Sequence, residues 1–241
     1  MTMRRVLFLD LDDTIFHSRR KRSPGRGAEP VALASDGTPD SFMSDRQQAF
    51  FDWIIDGAEV VPTTGRNVAA YRRVELPFAG WTICSFGGVV LRPDGTSDPR
   101  WRERIAPLAS AADEFLHALV ENTLAASGDR PVRARVIDDD GLPLYISVKS
   151  EHAGLDDLAA TLRSGLPSGW RVHVNANNLA ILPAFLGKEH AVRWFIETIA
   201  GPDALLIGAG DSISDAPFLA ACDYALTPSD SQIIARLLES L

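Results

Sequence analysis

The chain predicts an α/β protein: a doubly wound, Rossmann-like parallel core sheet interrupted by an inserted α+β domain. Three observations carry that expectation. Val6 to Leu9 is an unbroken apolar run, as a strand buried on both faces requires, and it stops abruptly at Asp10-Leu11-Asp12-Asp13-Thr14. A strand-helix-strand rhythm runs from there to Phe86 and resumes at Lys188. Between them the pattern changes to helix, two strands, helix, two strands, a unit able to form its own antiparallel layer. The length of 241 residues, against roughly 150 per domain, fits one domain plus an insertion. The expected boundaries are 1–87 with 184–241 for the core and 88–183 for the insertion.

Taken in order, the first strand is followed by a stretch without periodicity, about Ser18 to Met43, rich in turn residues such as Ser23-Pro24-Gly25 and Asp36-Gly37. It reads as a long loop. Ser44 followed by Gln47 is a capping-box pattern opening a helix through Phe50, Phe51, Ile54 and Ile55, with Gly57 as its stop. Glu59 to Thr63 is a second strand, Asn67 caps a short helix through Tyr71, and Trp81 to Phe86 is a third strand. In the insertion, a helix spans about Glu103 to Ala126, with Pro107 limiting where its regular pairing begins. Val132–Ile137 and Leu144–Lys149 form a hairpin around Asp138-Asp139-Asp140-Gly141, Leu155–Ser164 is a helix, and Val172–Val174 with Leu179–Leu182 is a second strand pair. The core then resumes with a helix from Lys188 to Ala200, a strand Ala204–Ala209, a short helix near Pro217–Ala221, a strand Tyr224–Leu226 and a final helix from Ser231.

Composition narrows the function classes. Hydrophobic residues make up 46% and charged residues 23%, the mix of an ordinary globular protein. A net charge of −8 argues against a nucleic acid or an anionic membrane as the main partner. No apolar run approaches the ~18 residues that span a bilayer. The start, Met1-Thr2-Met3-Arg4-Arg5-Val6-Leu7-Phe8-Leu9, has too few apolar residues for a signal-peptide core, and Cys84 and Cys222 lack any framework spacing, so a reducing cytoplasm is expected. His17, His117, His152, His173 and His190 show no metal-ligand spacing, and no zinc site is assigned.

Ligands in doubly wound sheets bind beyond the carboxyl ends of the strands. Four segments there carry reactive side chains: Asp10-Leu11-Asp12-Asp13-Thr14, Thr63-Thr64-Gly65-Arg66, Lys188, and Gly210-Asp211-Ser212-Ile213-Ser214-Asp215. Carboxylates converging at one sheet end repel unless a cation sits among them. A set of oxygen ligands suits a hard ion, most naturally Mg²⁺. The first segment is not a calcium-binding EF-hand loop, because Ile15 stands where Gly is needed and Lys21 where the bidentate Glu belongs.

These four segments, in this order, resemble the motifs of the haloacid dehalogenase-like phosphohydrolases, and the insertion between the second and third resembles that superfamily's αββαββ cap. The likeness is greatest to the sucrose-phosphatase and Cof-like sugar phosphatases, although Asp13 stands where Gly is common and Ser214 where Asn is frequent. The resemblance implies a phosphatase with Asp10 as nucleophile and Asp12 as general acid and base. Thr64 and Gly65 would bind the phosphoryl oxygens, and Lys188 would neutralise charge on Asp10 and the transferring group. It also implies Mg²⁺ held by Asp10, the Asp12 carbonyl and Asp211, with Asp215 as a further ligand or an orienting group. The adjacent Thr63 and Thr64 both carry hydroxyls; Thr64 is chosen because it directly precedes Gly65-Arg66. The partner so implied is a small phosphorylated metabolite, most plausibly a sugar phosphate. A phosphomutase of the phosphomannomutase type and a non-catalytic phosphometabolite-binding module are the alternatives; a dehalogenase would leave Asp12 and the metal-binding acids without purpose.

Strict alternation in Val132–Val136 and Leu144–Lys149 places Arg133, Arg135, Tyr145, Ser147 and Lys149 on one face, and Arg171, His173 and Asn175 alternate likewise with Val172 and Val174. The insertion's sheet is thus expected to have an apolar face under its helices and a basic, hydrogen-bonding face. That face suits a phosphorylated, hydroxyl-rich substrate, with Arg133, Arg135, Lys149, His173 and Asn175 as candidate contacts; a solvated outer face is the plainer reading. One basic cluster, residues 19–26, lies in the long loop and is expected to be a solvated loop, with a substrate-contacting flap or an oligomer contact as the alternatives.

Overall fold

In the computed structural model, residues 3–19, 21, 28–150 and 154–241 are described. Most of the basic cluster, residues 20 and 22–26, lies outside them, as does His152. The chain divides into two compact units, Met1–Asp98 with Lys188–Leu241, and Pro99–Gly187. The hairpin that follows the third strand thus belongs with the first unit.

The first unit begins with β1 (Arg5–Leu9), and its sequence explains its burial. Alternate residues serve opposite faces: Leu7 and Leu9 join a buried cluster with Phe51 and Ile54, while Phe8 meets the Phe195 ring edge-on at 5.6 Å. Hence the run Val6–Leu9 has no polar interruption.

Where the sequence suggested a long loop, the chain forms a three-stranded antiparallel sheet of β2 (His17–Ser18), β3 (Glu29–Leu33) and β4 (Pro39–Met43), in the order β2-β4-β3. Its hairpin turn is closed by Asp36, which accepts from the amide and the hydroxyl of Thr38 at 3.0 and 2.7 Å. Pro, Ser and Asp dilute the strand signal, but Val31 and Met43 are buried in the same cluster as Leu7 and Leu9. Tertiary packing therefore decides the conformation over local propensity.

The helix α1 (Asp45–Ile55) starts with the expected capping box: Ser44 accepts from the Gln47 amide, and the Gln47 side chain accepts from the Ser44 amide. Next come β5 (Glu59–Pro62), the single-turn α2 (Val68–Tyr71) capped by Asn67, and the antiparallel pair β6 (Thr82–Cys84) and β7 (Val89–Leu91). β6 was expected as a strand of the parallel sheet; instead it meets the sheet edge by one parallel bridge, Thr63 to Ile83, and pairs with β7.

The second unit holds α3 (Pro99–Ser127), β8 (Val132–Asp139), β9 (Leu142–Ser150), α4 (Asp156–Gly165), β10 (Arg171–Asn175) and β11 (Asn178–Leu182). α3 begins at Pro99, earlier than expected, and carries Pro107 within its length. The four strands form one antiparallel sheet in the order β10-β11-β9-β8. Ile146, Val148, Leu179 and Ile181 pack against Leu116 and Leu119 of α3 and Leu158 and Leu162 of α4. The expected apolar face under two helices is present.

The chain returns to the first unit with α5 (Lys188–Phe195), continued by a wider turn over Ile196–Ala200, then β12 (Leu205–Ala209), α6 (Ala216–Leu219), β13 (Tyr224–Leu226) and α7 (Gln232–Glu239). The core sheet is fully parallel, in the order β13-β12-β1-β5. Among the described residues, no helix is long and apolar enough to cross a membrane.

Candidate active site

The parallel ladder continues past the strand ends and sets the backbone of the site. The Asp10 amide donates to the Ala209 carbonyl at 2.9 Å, and the Thr63 amide to the Leu9 carbonyl at 2.8 Å. Asp10, Thr64 and Asp211 are thereby held at the carboxyl ends of β1, β5 and β12. Lys188 is the first residue of α5, and Phe195 near the other end of that helix is wedged between Phe8 and Trp81, both edge-on at under 6 Å. Beyond it, Arg4 donates to the carbonyls of Ile199 and Ala200 at 2.6 and 2.9 Å and to Glu59, which ties this end of the segment to β5.

The charged groups so positioned form one buried network. Lys188 Nζ donates to Asp10 Oδ1 and to Asp215 Oδ1, each at 2.6 Å. Thr14 Oγ1 lies 2.9 Å from Asp10 Oδ2 and 3.2 Å from Asp211 Oδ1. Asp215 Oδ2 accepts from the amides of Asp211 and Ser212, at 3.1 and 2.9 Å, and from the Ser212 hydroxyl at 2.8 Å. Gly210 makes this closure possible, since a Cβ there would stand 2.8 Å from the Cβ of Asp215.

Burial pushes the Asp10 carboxyl well above the usual carboxylate range; repulsion from Asp215 and Asp211 adds to this, and Lys188 opposes it. Burial, Asp215 and Asp13 together push Asp211 up to about 6. Burial alone would lower the Lys188 pKa, but the adjacent Asp10 and Asp215 outweigh it and raise it above the ordinary lysine value. Carboxylate oxygens of Asp10, Asp211 and Asp215 lie within 4.8 Å of one another. Fully ionised, three carboxylates against one ammonium would leave two negative charges in a buried volume, and a divalent cation with oxygen preference would balance them. Asp215 accepts four hydrogen bonds, two of them from backbone amides, and is suited to orient the cluster, whereas Asp10 accepts two and Asp211 one from Thr14, which leaves them the carboxylates better placed for direct ligation.

The neighbouring loop separates the two threonines. Thr63 turns its hydroxyl back to the Val61 carbonyl at 2.9 Å, while Thr64 Oγ1 accepts from the Arg66 amide at 3.1 Å. Gly65 lies under the Phe86 ring: a Cβ there would come within 2.6 Å of it. Ser85 and Phe86 both adopt left-handed backbone conformations, φ 51° and 54°. The turn is bonded to the loop through Ser85 N to Arg66 O at 2.7 Å and Phe86 N to Thr64 O at 3.1 Å. Asp12 stands apart from the carboxylate cluster, with both oxygens taken by Arg66 at 2.7 Å. Asp13 pairs with His17 at 3.1 Å and with Lys21.

In the second unit the register aligns the polar residues in rows. Arg133 stands opposite Lys149, Lys149 opposite Asn178, and Asn178 opposite Asn175; Arg135, Ser147, Ala180 and His173 form the adjacent row. Arg133, Arg135 and Lys149 are exposed and His173 and Asn175 half-buried, whereas Tyr145, expected beside them, is buried.

The structure therefore brings together Asp10, Asp211, Asp215 and Lys188, which lie up to 205 positions apart in sequence. Thr14, Ser212, Ser41, Phe86 and the side chain of Arg66 were given no role from sequence. Thr14 was visible four residues after Asp10, but Ser41 and Phe86 sit in segments without a motif.

No family model matches this chain, and neither does any curated protein. Solved structures do. The sucrose-phosphatase from Synechocystis, in complex with sucrose and phosphate, is similar at a TM-score of 0.58 and 15% identity, over 99% of this chain and 88% of that one. The C-terminal domain of C. albicans trehalose-6-phosphate phosphatase is similar at 0.60 and 13% identity, over 91% and 74%. A haloacid dehalogenase-like hydrolase from Bacteroides thetaiotaomicron is similar at 0.51 and 14% identity, over 98% and 99%. The chain has the haloacid dehalogenase-like fold, with its Asp10, Thr64 and Asp211 segments at the carboxyl ends of the parallel strands.

Proposed function

We propose that the chain is a Mg²⁺-dependent phosphomonoesterase acting on a small phosphorylated metabolite, a sugar phosphate, through an aspartyl-phosphate on Asp10. The observation that carries this reading is the buried Asp10 carboxylate, held between Lys188 and Thr14 at 2.6 and 2.9 Å beside the oxygens of Asp211 and Asp215. Such a carboxylate is oriented, shielded from bulk water and placed beside fixed positive charge, the conditions under which it serves as a nucleophile.

In the first displacement, an Asp10 oxygen forms a bond to phosphorus while the ester P–O bond breaks, and the leaving oxygen takes a proton from Asp12. In the second, water attacks phosphorus, gives its proton to Asp12, and restores the Asp10 carboxylate with release of inorganic phosphate. Lys188 keeps its charge next to Asp10 through both. Thr64 and the Gly65 amide bind the equatorial oxygens of the phosphoryl group. Asp10, Asp211 and the Asp12 carbonyl would hold Mg²⁺, oriented by Asp215; when bound, the ion supplies charge stabilisation to the phosphoryl oxygens.

Arg133, Arg135, Lys149, His173 and Asn175 are assigned to recognition of the substrate. Arg133 and Lys149 face each other directly across an antiparallel pair, which sets two cationic side chains side by side on one face of the sheet. The similar structures of a sucrose-phosphatase and a trehalose-6-phosphate phosphatase support a sugar phosphate as the class. The test is phosphate release from a panel of sugar phosphates and one aryl phosphate, with Mg²⁺ and with chelator, using Asp10→Asn as the blank. Mg²⁺-dependent release absent from the blank is expected; a folded protein silent across the panel contradicts the reading.

A further inference from the structure

The Thr64-Gly65-Arg66 segment carries a side chain that the reaction outlined above does not use. Arg66 donates from Nε to one oxygen of Asp12 and from Nη2 to the other, both at 2.7 Å. The same Nη2 lies 3.2 Å from the Ser41 hydroxyl of β4. The guanidinium carbon sits 5.2 Å from the centroid of the Phe16 ring, and the Arg66 amide donates to Thr64 Oγ1. The Arg66 side chain is 14% exposed and that of Asp12 is 36% exposed. Three chain segments that follow β1, form β4 and follow β5 thus converge on one guanidinium.

Two parallel charge-assisted hydrogen bonds fix a carboxylate in plane and in distance, as a single contact does not. An aspartate at a half-exposed strand end would otherwise rotate freely about both side-chain torsions. A group that must deliver a proton to a leaving oxygen and later take one from water has to be within hydrogen-bond reach of both. The Ser41 hydroxyl and the Phe16 ring contact the guanidinium itself, so it is held and can act as a fixed template. When Asp12 carries a proton on one oxygen, the fork still grips the carboxyl through the other.

We propose that Arg66 is a positioning residue that aims the Asp12 carboxyl, with Ser41 and Phe16 holding the guanidinium in place. This rests on the reading of Asp12 as the proton donor and acceptor given above. The proton moves only between Asp12 and the leaving oxygen or water; Arg66 neither gains nor loses one.

The leaving group separates this role from a merely structural one. A sugar alkoxide needs a proton as the P–O bond breaks, whereas p-nitrophenolate leaves without one. Arg66→Ala is therefore expected to lower kcat/KM, which reports on the first displacement alone, about a hundredfold for a sugar phosphate and only a few-fold for p-nitrophenyl phosphate, whereas the second displacement is common to both esters. Arg66→Lys, which offers a point charge in place of a fork, should recover less than a tenth of the lost rate, and added guanidinium should partly rescue Arg66→Ala on the sugar phosphate alone. Combined with Asp12→Asn, Arg66→Ala should cost nothing further. Equal losses on both esters, or additive losses in the double variant, would overturn the assignment of Arg66 while leaving the phosphatase reading intact. Absence of phosphate release by the unmodified protein from both esters would overturn the two together.

Discussion

The two units use polar residues in opposite ways. In the first, Asp10, Lys188, Asp211 and Asp215 are buried, come from separated strand ends and a helix start, and satisfy one another at 2.6–3.2 Å together with Thr14 and Ser212. In the second, Arg133, Arg135 and Lys149 are exposed, and the strand register sets Arg133 opposite Lys149 and Arg135 opposite Ser147. Buried charge is costly unless paired, so the first arrangement tolerates little change. An exposed row on a sheet face keeps its scaffold when its side chains change, because the apolar face beneath carries the packing. On the proposed function, the contrast would place the chemistry in the buried, mutually bonded network and the selection of substrate on the exposed, replaceable face.

Breaking the buried network should have the largest effects. Asp10→Asn is expected to reduce turnover by about 10⁴-fold or more while leaving the circular dichroism spectrum unchanged, since the amide is nearly isosteric but cannot form the acyl phosphate. Lys188→Met removes the one buried cation between two carboxylates. It should abolish activity and lower stability in urea by about 3–5 kcal/mol, the cost of leaving buried charge unpaired.

Metal binding gives a smaller and more diagnostic change. At a hundredfold excess over its dissociation constant, Mg²⁺ should add about 2.7 kcal/mol of stability, read as a rise in Tm. Asp211 has its pKa raised on folding, so its ionised form opposes folding at neutral pH, and that penalty vanishes as pH falls below the unfolded-state value. Asp211→Asn should accordingly raise Tm in chelator at neutral pH and shrink the rise given by Mg²⁺. An undiminished rise would place the ion elsewhere.

The exposed rows should give the smallest effects. Arg133→Ala and Lys149→Ala are expected to change Tm little and to lower kcat/KM for the best sugar phosphate about tenfold relative to an aryl phosphate, a difference of about 1.4 kcal/mol. An unchanged ratio in both variants would remove this face from substrate recognition.

Legibility in the sequence follows the same division. β1, β5, β12, the capping box of α1 and the Ser231 N-cap of α7 depend on local patterns, and those patterns are in the residues that form them. The order of the four charged segments placed Asp10, Lys188, Asp211 and Asp215 together, because strand ends in a parallel sheet share one edge. The sheet of β2, β3 and β4 was missed because its strands are held by Val31 and Met43 docking on residues far away, a term absent from local propensity. Arg66 was in view but not its partner: Asp12 is 54 positions away, and nothing in a single sequence pairs them. In the second unit, alternation correctly separated the apolar face but left Tyr145 on the wrong side of burial, next to the register shift between Ile137 and Asp138.

The most direct test of the central claim is to quench the protein with acid during incubation with the best substrate and map the digest by mass spectrometry. The account predicts one phosphoryl group on the peptide that contains Asp10, present only with Mg²⁺ and missing from Asp10→Asn. Full turnover by Asp10→Asn, or a phosphoryl group carried on another residue, would contradict it.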